Sequence, residues 1–162
     1  MSAQQSSLLV IEIIEILRLI IFLIFSLIIS YKDIKTRYIE DWLFAVGIFL
    51  ELVLLIPLGG DKFGNLLIQT LIVYLFLLFT SILWVKFRKR LPFGLADTKY
   101  LTFIASYGGI LQSYFSLVFS LFILIIYCRI SGKTLYCKGV PFIPFLFGGF
   151  IISYFLLKLA NL

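Results

Sequence analysis

The stretch Leu17-Arg-Leu-Ile-Ile-Phe-Leu-Ile-Phe-Ser-Leu-Ile-Ile-Ser-Tyr-Lys-Asp33 carries one charge, Arg18, before it meets Lys32 and Asp33. Extended back to Leu8, the apolar run reaches Ser30. A helix that crosses the hydrocarbon of a bilayer needs about 20 predominantly apolar residues. The run has that length, so it reads as a membrane span, with Lys32 and Asp33 just past its end.

Five more apolar runs follow: Trp42 to Leu58, Asn65 to Val85, Thr98 to Ile110, Tyr114 to Ile130 and Pro144 to Leu159. The chain of 162 residues is 62% hydrophobic and only 14% charged, with a mean hydropathy of +1.14. Globular domains average about 45–50% apolar and about 25% charged residues. A single soluble core of this size cannot hide the excess, so lipid must solvate most of it. The expected fold is an all-α integral membrane protein of about six transmembrane helices, one membrane domain over 1–162 with no soluble domain. The segment Met1 to Ser7 lacks a basic region and no small-residue cleavage site follows the first run, so the first helix is expected to be retained.

The basic residues orient the bundle. Eleven of the 14 Lys and Arg fall on one side, in the loops after the first, third and fifth runs: Lys32, Lys35, Arg37, Lys86, Arg88, Lys89, Arg90, Lys99, Arg129, Lys133 and Lys138. The positive-inside rule makes these loops cytoplasmic and leaves both termini outside, in a multi-pass cell-membrane protein. The net charge of +6 therefore reads as topology, and no nucleic-acid partner is expected.

Glu15, Arg18 and Glu51 interrupt the apolar runs. Intramembrane charges are costly and are usually paired or functional. Arg18 lies roughly 18 Å from the Ser30 end of the first helix and Glu51 roughly 13–14 Å from the Trp42 end of the second. The two helices are antiparallel, so these depths nearly match and predict a neutralising pair. Glu15, one turn from Arg18, is the competing partner.

The chain has no histidine. That excludes Ser-His and Cys-His nucleophile pairs, His-dependent zinc hydrolysis and His-ligated haem. Cys128 and Cys137 are too few for a zinc site without histidine and read as inert thiols. No metal or cofactor is expected. Carboxylates remain as general acids and bases, and Asp97 is the only one after Asp61. It opens the fourth run, where a helix-N-terminal role is the simpler reading. On the same side of the membrane lie Asp33, Glu40 and Asp41, and Asp33 shares the boundary depth of Asp97. Two aspartates beside lipid would not both ionise readily, so one proton would be shared across the pair. Aspartic proteases use that arrangement: the ionised member takes a proton from water and the protonated member polarises the peptide carbonyl.

Three motifs then bear a family resemblance. Asp33-Ile-Lys-Thr-Arg-Tyr-Ile-Glu-Asp-Trp-Leu43 resembles the first motif of the type IV prepilin peptidases, where an Asp ending helix 1 is followed six residues on by Ile-Pro. Gly94-Leu-Ala-Asp97-Thr-Lys99 is similar to their G-x-G-D-x-K signature, and Pro141-Phe-Ile-Pro-Phe-Leu-Phe-Gly148 to the proline-containing start of their last helix. Glu40 stands in place of the first motif's proline and Ala96 where the signature often has Gly. The paired CxxC insert of the bifunctional members is absent, so the resemblance is to the compact archaeal preflagellin (class III signal peptide) peptidases or the small bacterial Tad-type enzymes.

The resemblance implies a GxGD-type membrane aspartic endopeptidase with catalytic Asp33 and Asp97 and an active site on the cytoplasmic side. Gly94, Ala96, Lys99, Pro141 and Pro144 would support the motifs or the substrate. Its partners would be prepilin or prearchaellin signal peptides, whose basic leaders precede an apolar helix held in lipid. Pro141 and Pro144 leave two local readings open, an extended strand that receives substrate by β-augmentation or a helix start. Lys99 would snorkel to phosphate or tune Asp97. The alternatives are a non-enzymatic membrane assembly or transport subunit, with Arg18 and Glu51 as its functional residues, and an inactive family member.

Overall fold

A computed structural model describes residues 3–88, 94–132 and 140–160. The described residues fold as helices joined by short turns: α1 (Ala3–Thr36), α2 (Asp41–Val53), a 3-10 turn (Ile56–Leu58), α3 (Gly60–Arg88), α4 (Leu95–Ser131) and α5 (Ile143–Leu159). No strand occurs among them. Three segments, 41–58, 60–87 and 95–131, are long and apolar enough to cross a membrane, and α5 is a shorter apolar helix. Large apolar side chains such as Phe76, Phe79, Phe87 and Leu75 of α3 point outwards. In water that surface would drive aggregation. The chain is an all-α integral membrane protein.

The helix ends follow local chemistry. α1 runs past the apolar stretch and stops at Arg37, which adopts a left-handed φ of 58°. There the Thr36 hydroxyl donates to the carbonyls of Lys32 and Tyr38, 3.0 and 2.8 Å away. Asp33 is therefore on α1 itself, in its last turn. α2 begins after Glu40, whose φ of −67° and ψ of 136° are those of an extended N-cap. A proline ring holds φ near −65°, so the residue that the family places there would fit this backbone. Glu40 instead forms an ion pair with Lys32 of α1, which holds its carboxyl below the usual glutamate range.

α4 is two helices. Gly109 breaks it with φ 76° and ψ −166°, a backbone region open essentially to glycine alone. The halves, α4a (95–108) and α4b (110–131), double back on one another. The Ser113 hydroxyl donates to the Leu101 carbonyl at 3.3 Å, 12 residues earlier; a straight helix would separate those residues by roughly 18 Å. The break thus falls at Gly109 rather than in 111–113, where the hydropathy pattern suggested it. α4a is roughly 21 Å long, against about 30 Å of hydrocarbon. Gly149 permits close helix packing, for a Cβ there would strike the Ser116 carbonyl of α4b. Gly109 serves the turn instead.

α4a forms the centre of the bundle. Tyr100, Leu101, Phe103 and Ile104 are buried on all its faces, against Phe22 and Ile29 of α1, Leu43 and Phe44 of α2, and Ile143, Leu146 and Phe150 of α5. A helix apolar all round is one enclosed by others. Phe22 sits at its middle, its ring 4.6 Å from that of Phe103 and 4.2 Å from that of Phe150.

The break takes backbone groups out of the helix ladder, and side chains meet them. Arg18 Nη2 donates to the carbonyls of Ser106 and Tyr107 at 3.2 and 2.9 Å. Its Nε donates to Glu51 Oε2 at 3.1 Å. On the α4b side the Ile110 amide donates to Gln69 Oε1 at 2.9 Å.

Gly109→Ala is expected to destabilise the protein by about 1–3 kcal/mol, through its strained φ and the collision of the new Cβ with Gln69. Gly148→Ala should cost less, because its Cβ would meet only the flexible end of Ile123. Denaturant titration of both variants in mixed micelles checks this, and equal losses would contradict the role given to Gly109.

Candidate active site

Asp33 and Asp97 come to the same end of the bundle, the end where α1 finishes and α2, α4 and α5 begin. Each is held at a helix N-terminus. Asp97 Oδ2 accepts from the Gly94 amide at 2.9 Å, the half of a capping box that a glycine N-cap allows on α4a. Asp33 Oδ2 accepts from the Ile143 amide at 3.2 Å and so caps α5 across the bundle. The positive ends of two helix dipoles favour carboxylates at both places. Asp97 lies close enough to Asp33 to feel its charge.

Asp33 is buried, although it lies beyond the apolar stretch of α1. Burial raises its carboxyl above the ordinary aspartate range, against the Ile143 amide and the charge of Arg37, which pull it down. A carboxyl held up in this way, beside a second one, is suited to keeping a proton.

A Cβ at Gly94 would come within 3.1 Å of Asp97 Oδ2, so the carboxylate would have to shift by a few tenths of an ångström to accommodate it. Ala96 packs half-buried against the core, so a small residue suffices at that point. Lys99, expected to snorkel to phosphate or tune Asp97, pairs with Asp41 of α2 on the outer surface. Pro144 lies in the first turn of α5, where its missing N–H costs nothing. Pro141 precedes that helix without regular structure. The helix-start reading of the prolines therefore fits the described residues. Residues 133–139, just before them and including Cys137, lie outside these. Cys128 is a buried free thiol.

Asp41 is 80% exposed at its side chain and pairs with Lys99. Asp41→Asn should change stability by less than about 1 kcal/mol and leave activity within about threefold, as for an exposed ion pair. A peptidase assay on this variant checks it, and inactivation would shift the candidate partner of Asp97 from Asp33 to Asp41.

Polar residues outside the three motifs lie behind the pair. Ser26 and Ser30 precede Asp33 at helical spacing on one buried face of α1, and the hydroxyl of Ser26 neighbours that of Tyr100 on α4a. The signal was present, as serines seven and three residues before the aspartate share its side of a helix. Gln69 lies outside the motifs as well. A glutamine within an apolar run needs a partner in lipid, and here it takes the amide left free by the break.

No group of three or more metal-ligating side chains occurs among the described residues. No curated protein and no solved structure gave a match. A family profile did, over residues 20–129, about two-thirds of the chain, a span that contains Asp33, Gly94 and Asp97. The chain belongs to the type IV leader peptidase family.

Proposed function

We propose that this protein is a membrane aspartic endopeptidase that removes the basic leader from type IV pilin-like or archaellin precursors. The observation that supports the reading is that Asp33 and Asp97, on two different helices, lie at one end of the bundle within the residues matched by the family profile. Water held between the carboxyl groups would lose a proton to the ionised member. The resulting hydroxide would add to the scissile carbonyl, polarised by the protonated member. Collapse of the tetrahedral intermediate then breaks the C–N bond, and the departing amine takes a proton from the pair.

The whole chain is read as one six-helix peptidase domain with both termini outside. Lys32, Lys35, Arg37, Lys86 and Lys99 crowd the Asp33 end, and the positive-inside rule makes that end cytoplasmic. A precursor whose apolar helix lies in the bilayer presents the junction of leader and helix at this level. The short α4a suits the same geometry. A bilayer thinned over roughly 21 Å would let water reach Asp97 and lower the cost of bringing a charged leader to it.

One observation favours a second reading. Both carboxylates already serve as helix caps, so a non-enzymatic subunit or inactive member would need no other role for them. Reconstituting the protein with a pilin-type precursor and mapping the products by mass spectrometry separates the two. A single cut between leader and apolar helix supports the peptidase. An intact precursor, with the peptidase folded, supports the alternative.

A further inference from the structure

We infer that Arg18 is a positioning residue for the aspartate pair: by clasping the free end of α4a it sets the depth at which Asp97 meets Asp33. The inference rests on the reading of those aspartates as the reacting pair.

Arg18 and Asp33 stand on one helix, α1, while Asp97 and the Ser106 and Tyr107 carbonyls stand on another, α4a. Helices are stiff along their axes, so a clamp at the far ends of two rods governs how their near ends meet. The guanidinium divides its donors accordingly. Nε goes to Glu51 of α2, and Nη2 goes to the carbonyls of Ser106 and Tyr107 in the last turn of α4a, next to the break at Gly109. A cation at a helix C-terminus is also favoured by the dipole. The ring of Tyr107, with the guanidinium carbon 5.2 Å from its centroid, braces the same contact. Gln69 of α3 holds the other side of the break through the Ile110 amide. Had Arg18 served only to neutralise Glu51, nothing would require it to reach the α4a backbone.

The tolerance is small. A slip of α4a by one helical turn moves Asp97 by about 5.4 Å, far beyond the 2.5–3.0 Å over which two oxygens share a proton.

The test is cross-linking in liposomes with the full chain carrying Cys128→Ser and Cys137→Ser, together with Asp33→Cys and Asp97→Cys. The shortest bis-methanethiosulfonate reagent reports whether the two positions face each other, without any need for activity. In that background Arg18→Met/Glu51→Leu leaves no unpaired charge but frees the carbonyls, and is expected to slow cross-linking by about tenfold or more. Arg18→Lys, which can still donate to them, should stay within about threefold of the parent. Gln69→Leu loosens the turn from α3 without touching a charge and should also slow the reaction, so a charge variant that fails to fold does not leave the question open. With the aspartates present, Arg18→Met/Glu51→Leu should lower kcat more than it changes KM for a precursor, and Arg18→Lys should not.

Cross-linking at the parental rate in both Arg18→Met/Glu51→Leu and Gln69→Leu would overturn the inference. A parent that does not cross-link would remove the aspartate pair and the inference together. A parent that cross-links but cleaves no precursor would sink the peptidase reading alone.

Discussion

Asp97→Asn is expected to reduce precursor cleavage by at least about 10³-fold, within the range that loss of general acid–base catalysis produces. Asparagine keeps the shape of the side chain and an oxygen that can accept from the Gly94 amide, so the cap on α4a survives. What is lost is the ionisable proton. Asp33→Asn should behave alike, because its carbonyl oxygen can still accept from the Ile143 amide. Both variants should unfold within about 1 kcal/mol of the parent, the scale of a cap interaction. Initial rates with a purified precursor, read beside denaturant midpoints, test this. Cleavage at more than about a tenth of the parental rate in either variant would remove that aspartate from the chemistry.

Arg18→Met alone is expected to cost about 3–5 kcal/mol of stability, the loss seen when one member of a buried ion pair is removed. Glu51 is fully buried and faces no other cation in the contacts seen among the described residues, so the variant must bury an unpaired carboxylate or protonate it. Adding Glu51→Leu removes that charge and should recover most of the loss, since apolar replacement of a buried pair is often near neutral. The remaining deficit measures the uncapped Ser106 and Tyr107 carbonyls. Unfolding titrations of the two single variants and the double variant in mixed micelles give these terms. An Arg18→Met protein as stable as the parent would mean that the pair contributes nothing to the fold.

The apolar runs were readable because length and composition alone separate a span from a loop. Matching depths on neighbouring antiparallel helices bring Arg18 to Glu51, an argument that needs only the helix rise. The break in α4 was harder to place. Gly108 and Gly109 look like any small-residue packing site, and hydropathy does not change across them. Only the backbone reveals that Gly109 takes a positive φ while Gly149 meets a neighbouring helix. The partner of Lys99 was hidden for a different reason. A long, flexible side chain can reach several carboxylates, and the sequence does not say that the first turns of α2 and α4a lie side by side. Asp33 and Asp97 stood out because few acids exist in the chain and these two share a depth. That each also caps a helix became visible only when α5 was seen to begin beside α1.

The central claim is that Asp33 and Asp97 act as one unit, and a double-variant cycle tests it most directly. Single-turnover cleavage would be measured for the parent, Asp33→Asn, Asp97→Asn and the double variant. Groups that share one proton fail together, so the double variant should be no slower than the slower single variant, within about threefold. Losses that multiply, so that their free energies add, would show two independent contributions and contradict the account.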